Sequence, residues 1–551
     1  MIIVQHNSDS RSDASFAWLD ALKTSELNGD PEIFFPRGEY HFYTGTRLKH
    51  CFISNNDESV KQIVFYLEAK KNLNIRGDHS AFIFHGRLLP FVLKESQNIS
   101  ISGISIDFAS PFHFETELLE TDKESSLLKV PGKWDLENGK LIVFNDGLDA
   151  FNGKLVFTLY DKKTGEISDP KGFHLPNRQL VCEKKNELLR VPIPMKQEKP
   201  HMIMRHQGRF TPAVLIDRCD DIVLENMTVY HAEGMAVVGQ NSRNILLNKL
   251  DVIPAEGRDI SVTDDAVHFS ECEGRIEIRN CIFRQTLDDA VNIHGIYRRL
   301  KQFGNSFVME ACHFQQFGLW NGKPGDTLEL LKEETMQPYA EIRCKSFSPG
   351  TKQLYCLELD GPLPPEFKSG DIVRIMRSAE MDVIISGSEM TNNMFRGILL
   401  SGAKRGLIEN NRIHSPGNGI YISGDANYWY ESGPVKNLEI CGNTFDHCAY
   451  VAKNTFPILV DPIISRKIPG FSYHGSVNVH DNVFLTKSSP LVMIAHSVAD
   501  LRFCRNQIHT DSTTDDSREF LNTECRNLLV MDNHLTRNTA KKAEHPPVFI
   551  K

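Results

Sequence analysis

The stretch VNVHDNVF, residues 477–484, decides how this chain folds. It reads apolar, any, apolar, any, any, Asn, any, apolar. The same template returns downstream as LRFCRNQI (501–508) and LLVMDNHL (528–535), and upstream as LEICGNTF (438–445) and GLIENNRI (406–413). The sixth position is Asn each time: Asn411, Asn443, Asn482, Asn506 and Asn533. Looser copies, with Asn, a small or an apolar residue there, begin at Val383 (VIISGSEM), Ile276 (IEIRNCIF), Ile245 (ILLNKLDV), Ile222 (IVLENMTV) and Ile99 (ISISGISI). A first copy at Leu73 (LNIRGD) is degraded after Asp78. Within a copy the alternation spells a short strand, a one-residue bend and another short strand. One such pair cannot bury its apolar face alone, but stacked copies can. An amide at a repeated bend can also bond to the same amide one coil further on. Many copies recur at intervals of 23 to 32 residues. The pattern predicts an all-β chain, a right-handed parallel β-helix.

Two intervals are far longer: 123 residues from Ile99 to Ile222 and 107 from Ile276 to Val383. Each holds one coil and a large insertion of short alternating strands with Gly, Pro and Asn turns, so small β-barrel-like domains are expected there. The expected organisation is an N-terminal cap over 1–60 and first coils over 61–109. A barrel-like insertion over 110–205 follows, then coils over 206–299 that carry an aspartate cluster. A second barrel-like insertion over 300–378 precedes C-terminal coils over 379–551. In the cap, DASFAWLDALKTSELNGDPEIFFPRGEYHFY (13–43) reads as an amphipathic helix and then a strand. It would close the open end of the solenoid, whose edge would otherwise invite association.

Net charge is −9 over 551 residues, with pI near 6.2. A chain without basic excess is a poor partner for nucleic acid, so a neutral or weakly charged substrate fits. No run of 18 apolar residues occurs, which predicts no membrane span. The opening MIIVQHNSDSRSD lacks a charged region followed by a long apolar one. The expectation is a periplasmic or secreted protein whose signal segment lies outside this chain, with a cytoplasmic protein as the alternative. Twelve cysteines are scattered singly and form no CxxC pair. They read as buried thiols packing as small apolar residues. Oligomeric state is not legible.

The chemistry lies on a second repeated strand: GMAVVGQ from Gly234, DDAVHFS from Asp264, DDAVNIH from Asp288, FRGILLS from Phe395 and GNGIYIS from Gly417. The two DDAV segments are 24 residues apart, one coil. Coils stack at about 4.8 Å, so Asp264, Asp265, Asp288 and Asp289 fall in one small area. Val267, Val291, Ile398 and Ile420 form one core column, and Phe269, Ile293, Leu400 and Ile422 another. That turns outward a column of Ala266, Ala290, Gly397 and Gly419, a shallow floor for a sugar ring. Beside it lie His268, Asn292, Leu399 and Tyr421, then Ser270, His294, Ser401 and Ser423. The pairs sit at a bend, where alternation breaks, so at least three of the four aspartates should reach the cleft. Arg396 aligns with Asp289 and can offset its charge. Clustered carboxylates suit glycoside hydrolysis, which needs one protonated and one ionised, and crowding splits their pKa values. The competing reading is that they fix turns or bind a structural cation. In DANYWYESGP (425–434), Tyr428, Trp429 and Tyr430 offer an aromatic wall, unless they merely pack over the solenoid. His231, Arg205 and Arg209 precede the cluster, and alone read as structural.

The segments TDDAVHF and TLDDAVNIHG resemble glycoside hydrolase family 110. So do YHAEGMAVVGQ before them and NNMFRGILLSG and NYWYESGP after them. The family comprises exo-acting α-1,3-galactosidases, including enzymes that act on the blood-group B antigen. The resemblance covers most of the chain and both insertions. It implies an inverting mechanism with no cofactor and no metal, and a glycan partner bearing terminal α-galactose, branched or linear. It makes Asp288 the general acid, with Asp265 and Asp289 holding the water and acting as base. Asp265 and Asp288 should then lie roughly 6.5–9.5 Å apart. The sugar-binding set expected around them is Asp264, His268, Asn292, His294, Arg396, Tyr428, Trp429 and Glu431. Two alternatives stand beside this reading. A polygalacturonase-like β-helix also carries aspartates on adjacent coils, but its Gly-His-Gly turn and Arg-Ile-Lys segment are missing. A non-catalytic glycan-binding β-helix would need no carboxylate cluster.

Overall fold

The computed structural model describes residues 1–5, 11–132, 134–137, 140–143, 155–175, 182–194, 201–206, 208–451, 454–487, 489–512 and 518–537. Residues 538–551, assigned from sequence to the last coils, lie outside them. All eleven template copies stack in parallel with their first residues opposite one another. Leu73 faces Ile99, and the column continues through Ile222, Ile245, Ile276, Val383, Gly406, Leu438, Val477 and Leu501 to Leu528. In ten of the eleven copies the corner is turned by the fifth residue. Gly103, Asn226, Lys249, Asn280, Gly387, Asn410, Gly442, Asp481, Arg505 and Asp532 are all left-handed, with φ from 51° to 68°. Gly, Asn and Asp tolerate that conformation best and dominate the list.

The sixth residue secures the corner. Asn411 Nδ2 donates to Asn443 Oδ1 at 3.0 Å, and the same bond links Asn443 to Asn482, Asn482 to Asn506 and Asn506 to Asn533 at 3.0–3.1 Å. Each Oδ1 also accepts the backbone N–H of the preceding Asn at 2.9–3.1 Å. Asn482 is fully buried and also donates to the Ile440 carbonyl at 2.9 Å. Asn482→Ala should therefore strand several buried polar groups, each worth about 1–3 kcal/mol. A clear fall in the denaturation midpoint with unchanged catalytic parameters is the expected result.

The second long sheet carries the other repeated strand. Val214–Asp217, Val237–Gln240, Val267–Ser270, Val291–Ile296, Ile398–Ser401 and Ile420–Ile422 pair in parallel. Val267, Val291, Ile398 and Ile420 are in register and fully buried. At the N-terminal end the helix Ser15–Asn28 lays Trp18 on Phe65, ring centroids 4.6 Å apart. Gly29, left-handed at φ 64°, ends the helix by donating to the Ser25 carbonyl.

Two excursions leave the solenoid. His113–Thr121 to His201–His206 bound a seven-stranded antiparallel sheet with its own core, including Phe157, Leu189 and Met204. Arg298–Phe303 to Ile372–Ile375 bound a closed six-stranded barrel around Leu300, Leu328 and Val373. Both return the chain beside the aspartates. Among the described residues no helix is long and apolar enough to cross a membrane. All twelve cysteines are free, and eight of them are buried.

Candidate active site

The DD pairs occupy the corners just before Val267–Ser270 and Val291–Ile296. Ala266 N–H donates to the Asp289 carbonyl at 3.0 Å, and Ala290 N–H to the Arg396 carbonyl at 3.0 Å. Asp265, Asp289 and Arg396 are thus stacked on consecutive coils. At this bend alternation fails: Asp265 and Ala266 exchange the faces that strict alternation assigns them. Ala266 and Ala290 are fully buried in the core. A Cβ on Gly397 would meet Ile413 Cγ2 at 2.6 Å, and one on Gly419 would meet Phe445 Cδ1 at 2.9 Å. The Ala and Gly column is therefore the tight inner side of the corner, not a floor for a sugar.

The carboxylates face a small pocket lined by Asp265, Asp288, Asp289, Arg209, Arg396 and Glu431, with Asn55, Asn292, Leu399 and Trp429 completing it. Three of the four aspartates reach it. The fourth, Asp264, lies behind Arg209. Arg209 Nε is 2.8 Å from Asp264 Oδ1, and its Nη2 donates to Asp288 Oδ2 at 2.7 Å. Arg396 Nε donates to Asp289 Oδ1 at 2.8 Å. Asp289 N–H donates to Asp265 Oδ1 and to Asp288 Oδ1, both at 3.1 Å. One oxygen from each of Asp265, Asp288 and Asp289 lies within 4.8 Å of the others. That corrects the 6.5–9.5 Å expected between Asp265 and Asp288. Diagonal neighbours on coils one strand spacing apart are held close by the stacking itself.

The crowding sets the electrostatics. Burial raises Asp265 well above the usual carboxylate range, and Asp288 and Asp289 add to it. Burial pushes Asp289 up to about 7 against the pull of Arg396. Burial raises Asp264 too, although Arg209 and Arg205 oppose it. For Arg209 burial works against the charge, but the four aspartates outweigh it and make the guanidinium more basic than usual. Two buried acceptors of the pocket, Asp289 Oδ2 and Asn292 Oδ1, have no hydrogen-bond partner among the described residues. Buried polar atoms are nearly always paired, so these suit a hydroxyl-bearing ligand. A cation could bridge the three carboxyls only in competition with two guanidinium groups already in place.

The remaining expected residues divide. Asn292, Arg396, Trp429 and Glu431 line the pocket. His268 and His294 do not: they are 0% and 1% exposed and lie behind Asp265, so they cannot touch a sugar. Asp264, at 1%, is screened by Arg209. Tyr428 is exposed on the rim, edge-on to Trp429 with centroids 5.1 Å apart. His313 of the barrel packs on Trp429 at 4.5 Å, and Gln316 Nε2 donates to the Trp429 carbonyl at 2.7 Å. The barrel thus fixes the aromatic wall. Sequence reasoning left Arg209 as structural and missed Asn55, whose Nδ2 donates to Glu431 Oε1 at 3.3 Å. His231 is structural, accepting from Phe112 N–H at 2.8 Å in a buried site.

Comparison with known proteins gives this site a context. Residues 307–373 match the GLAA-B beta-barrel domain II, and residues 371–542 the right handed beta helix region. The chain is 29% identical over 492 residues to alpha-1,3-galactosidase A of Shewanella woodyi, covering 86% of this chain and 80% of that protein. It is 28% identical over 526 residues to alpha-1,3-galactosidase B of Bacteroides thetaiotaomicron, covering 92% and 85%. A solved structure, the A-module of a mannuronan C-5 epimerase of Azotobacter vinelandii, overlays at a TM-score of 0.41 with 10% identity, over 98% of this chain and 100% of that one. The chain is a β-helical glycoside hydrolase. Its relatives over most of its length are the α-1,3-galactosidases, and the resemblance to family 110 holds.

Proposed function

We propose that the chain removes terminal, non-reducing α-1,3-linked galactose from glycans by an inverting displacement. The supporting observation is the pocket itself: small, closed below by three carboxyls and walled by Trp429. Closed at its base by those carboxyls, it suits one terminal sugar rather than a threaded polymer. Asp288, the most exposed of the four aspartates at 9%, protonates the leaving oxygen. Asp289, held by Arg396, takes the proton of water from the opposite side. Inversion needs room for that water, so the Asp288 and Asp289 oxygens, within 4.8 Å of each other here, must separate when a sugar enters. The test follows the first-formed galactose by proton NMR during cleavage of an α-1,3-linked disaccharide and of a branched blood-group B-like glycan. The β-anomer is expected. An α-anomer would refute inversion and make the close Asp265–Asp288 pair a retaining one. Release of uronate from a polygalacturonate instead would favour the polygalacturonase-like reading, and silence on every substrate a glycan-binding protein.

A further inference from the structure

His268 and His294 stand where no substrate reaches them, yet they are tied in a line to Asp265. Asp265 Oδ2 is 2.8 Å from His268 Nδ1, and His268 Nε2 is 3.1 Å from His294 Nε2. His294 Nδ1 is 2.7 Å from the Gly295 carbonyl oxygen. At these lengths each of the three gaps must contain a hydrogen, because facing lone pairs repel. The carbonyl cannot donate, so His294 carries its hydrogen on Nδ1. Two neutral imidazoles supply two hydrogens for three gaps. The third is an additional proton, on Asp265 or on an imidazole. Ser54 Oγ, 3.5 Å from His268 Nε2, and Glu431 Oε1, 3.7 Å from His294 Nε2, do not alter that count.

The surroundings decide where the proton sits. Asp264, Asp288, Asp289 and Arg209 face Asp265, His294 and Arg209 face His268, and Glu431 faces His294. An imidazolium at His268 would be a fully buried cation near Arg209, and it would leave Asp265 as a second anion beside Asp289. Burial, His294 and Arg209 all hold His268 well below its usual value. A protonated Asp265 removes both costs.

We propose that His268 and His294 are positioning residues that hold Asp265 as a protonated carboxyl in the resting enzyme, leaving Asp289 as the carboxylate that takes the proton from water. This rests on the hydrolytic reading above. In the displacement the water O–H breaks and its proton goes to Asp289. The water oxygen bonds to the anomeric carbon, the glycosidic C–O bond breaks, and the leaving oxygen takes the proton of Asp288. The Asp265 proton stays in place.

Infrared difference spectroscopy of wild type against Asp265→Asn at about pH 8 should show a protonated-carboxyl stretch, although an ordinary Asp is ionised there. Nitrogen NMR of the wild-type histidines should show His268 neutral with hydrogen on Nε2 and His294 neutral with hydrogen on Nδ1. In His294→Gln the amide can turn its NH2 to His268 Nε2, so His268 can donate from Nδ1 to an ionised Asp265. The carboxyl band should then vanish. The acid limb of kcat/KM should move up by about one pH unit, because a new anion beside Asp289 raises its pKa. A purely structural role would change melting and leave band and limb where they are. No carboxyl band in the wild type, an imidazolium signal at either histidine, or an unaltered band in His294→Gln overturns the proposal. The infrared and NMR readings need no substrate, so a wild type that hydrolyses nothing defeats the functional reading alone.

Discussion

Asp288→Asn is expected to lower galactose release from a natural disaccharide roughly 10³-fold, while an aryl galactoside with a good leaving group, if accepted, keeps activity within about tenfold of wild type. A general acid matters most when the departing oxygen is a poor leaving group. The amide matches the carboxyl in size and can still accept from Arg209, which bonds Asp288 Oδ2 at 2.7 Å. Asp289→Asn should instead cost about 10³-fold on both substrates, since water must be activated whichever group leaves. The pH profile gives the same assignment a second reading. Asp289 is pushed up to about 7 by burial, and as a base it must be ionised, so kcat/KM should fall as pH drops through that value. Stability runs the other way. Its folded-state pKa exceeds the unfolded value of about 3.9, so its ionisation penalises the fold above about 7 and not below about 4. Asp289→Asn should accordingly melt no lower than wild type at neutral pH, which separates lost chemistry from lost structure. If Asp288→Asn lost both substrates and Asp289→Asn spared the activated one, acid and base labels must be exchanged. Near-normal activity in both variants would return the aspartates to the turn-fixing role.

The solenoid was legible in the sequence because one residue pattern must serve every coil. Val477, Val479 and Phe484 point inward on one coil for the same reason that Leu501, Phe503 and Ile508 do on the next. The template shows the bend, but it does not separate the left-handed fifth residue from the Asn at the sixth. Both positions favour the same residue types, Asn410 and Asn411 being adjacent examples. The aspartate cluster was legible because a spacing of one coil converts directly into proximity. What failed was the step from outward to exposed. His268 and His294 do point away from the core, but the segment around Ser54 and the strand Glu431–Ser432 lie over them. Arg209 could not be found by periodicity at all. It follows an antiparallel sheet that has no coil repeat, and only the three-dimensional return of that insertion brings it to Asp264 and Asp288.

Arg209 carries the last large expected effect. It is the sole guanidinium in ion-pair contact with Asp264 among the described residues, and it also holds Asp288. Arg209→Met keeps much of the side-chain volume and removes the charge. Asp264, at 1% exposure, would keep only the more distant influence of Arg205. Removing one partner of a buried pair costs about 3–5 kcal/mol, because the remaining charge stays desolvated. The loss should depend on pH in a definite direction. Asp264 is already raised above the usual carboxylate range by burial, and without Arg209 it rises further. Its penalty is therefore full at neutral pH, when it must ionise or take up a proton, and fades as pH falls towards its unfolded value of about 3.9. The melting temperature of Arg209→Met should trail wild type most near pH 7–8 and approach it near pH 4. Activity on the natural substrate should fall with it, since Asp288 loses the contact that orients its carboxyl. Arg209→Lys should recover part of the stability through its charge. It should recover less of the activity, because one ammonium cannot reproduce the forked contact to two carboxylates. A melting curve for Arg209→Met that matched wild type at every pH would mean that Asp264 is neutral in the wild-type protein as well. The Arg209–Asp264 contact would then be no ion pair.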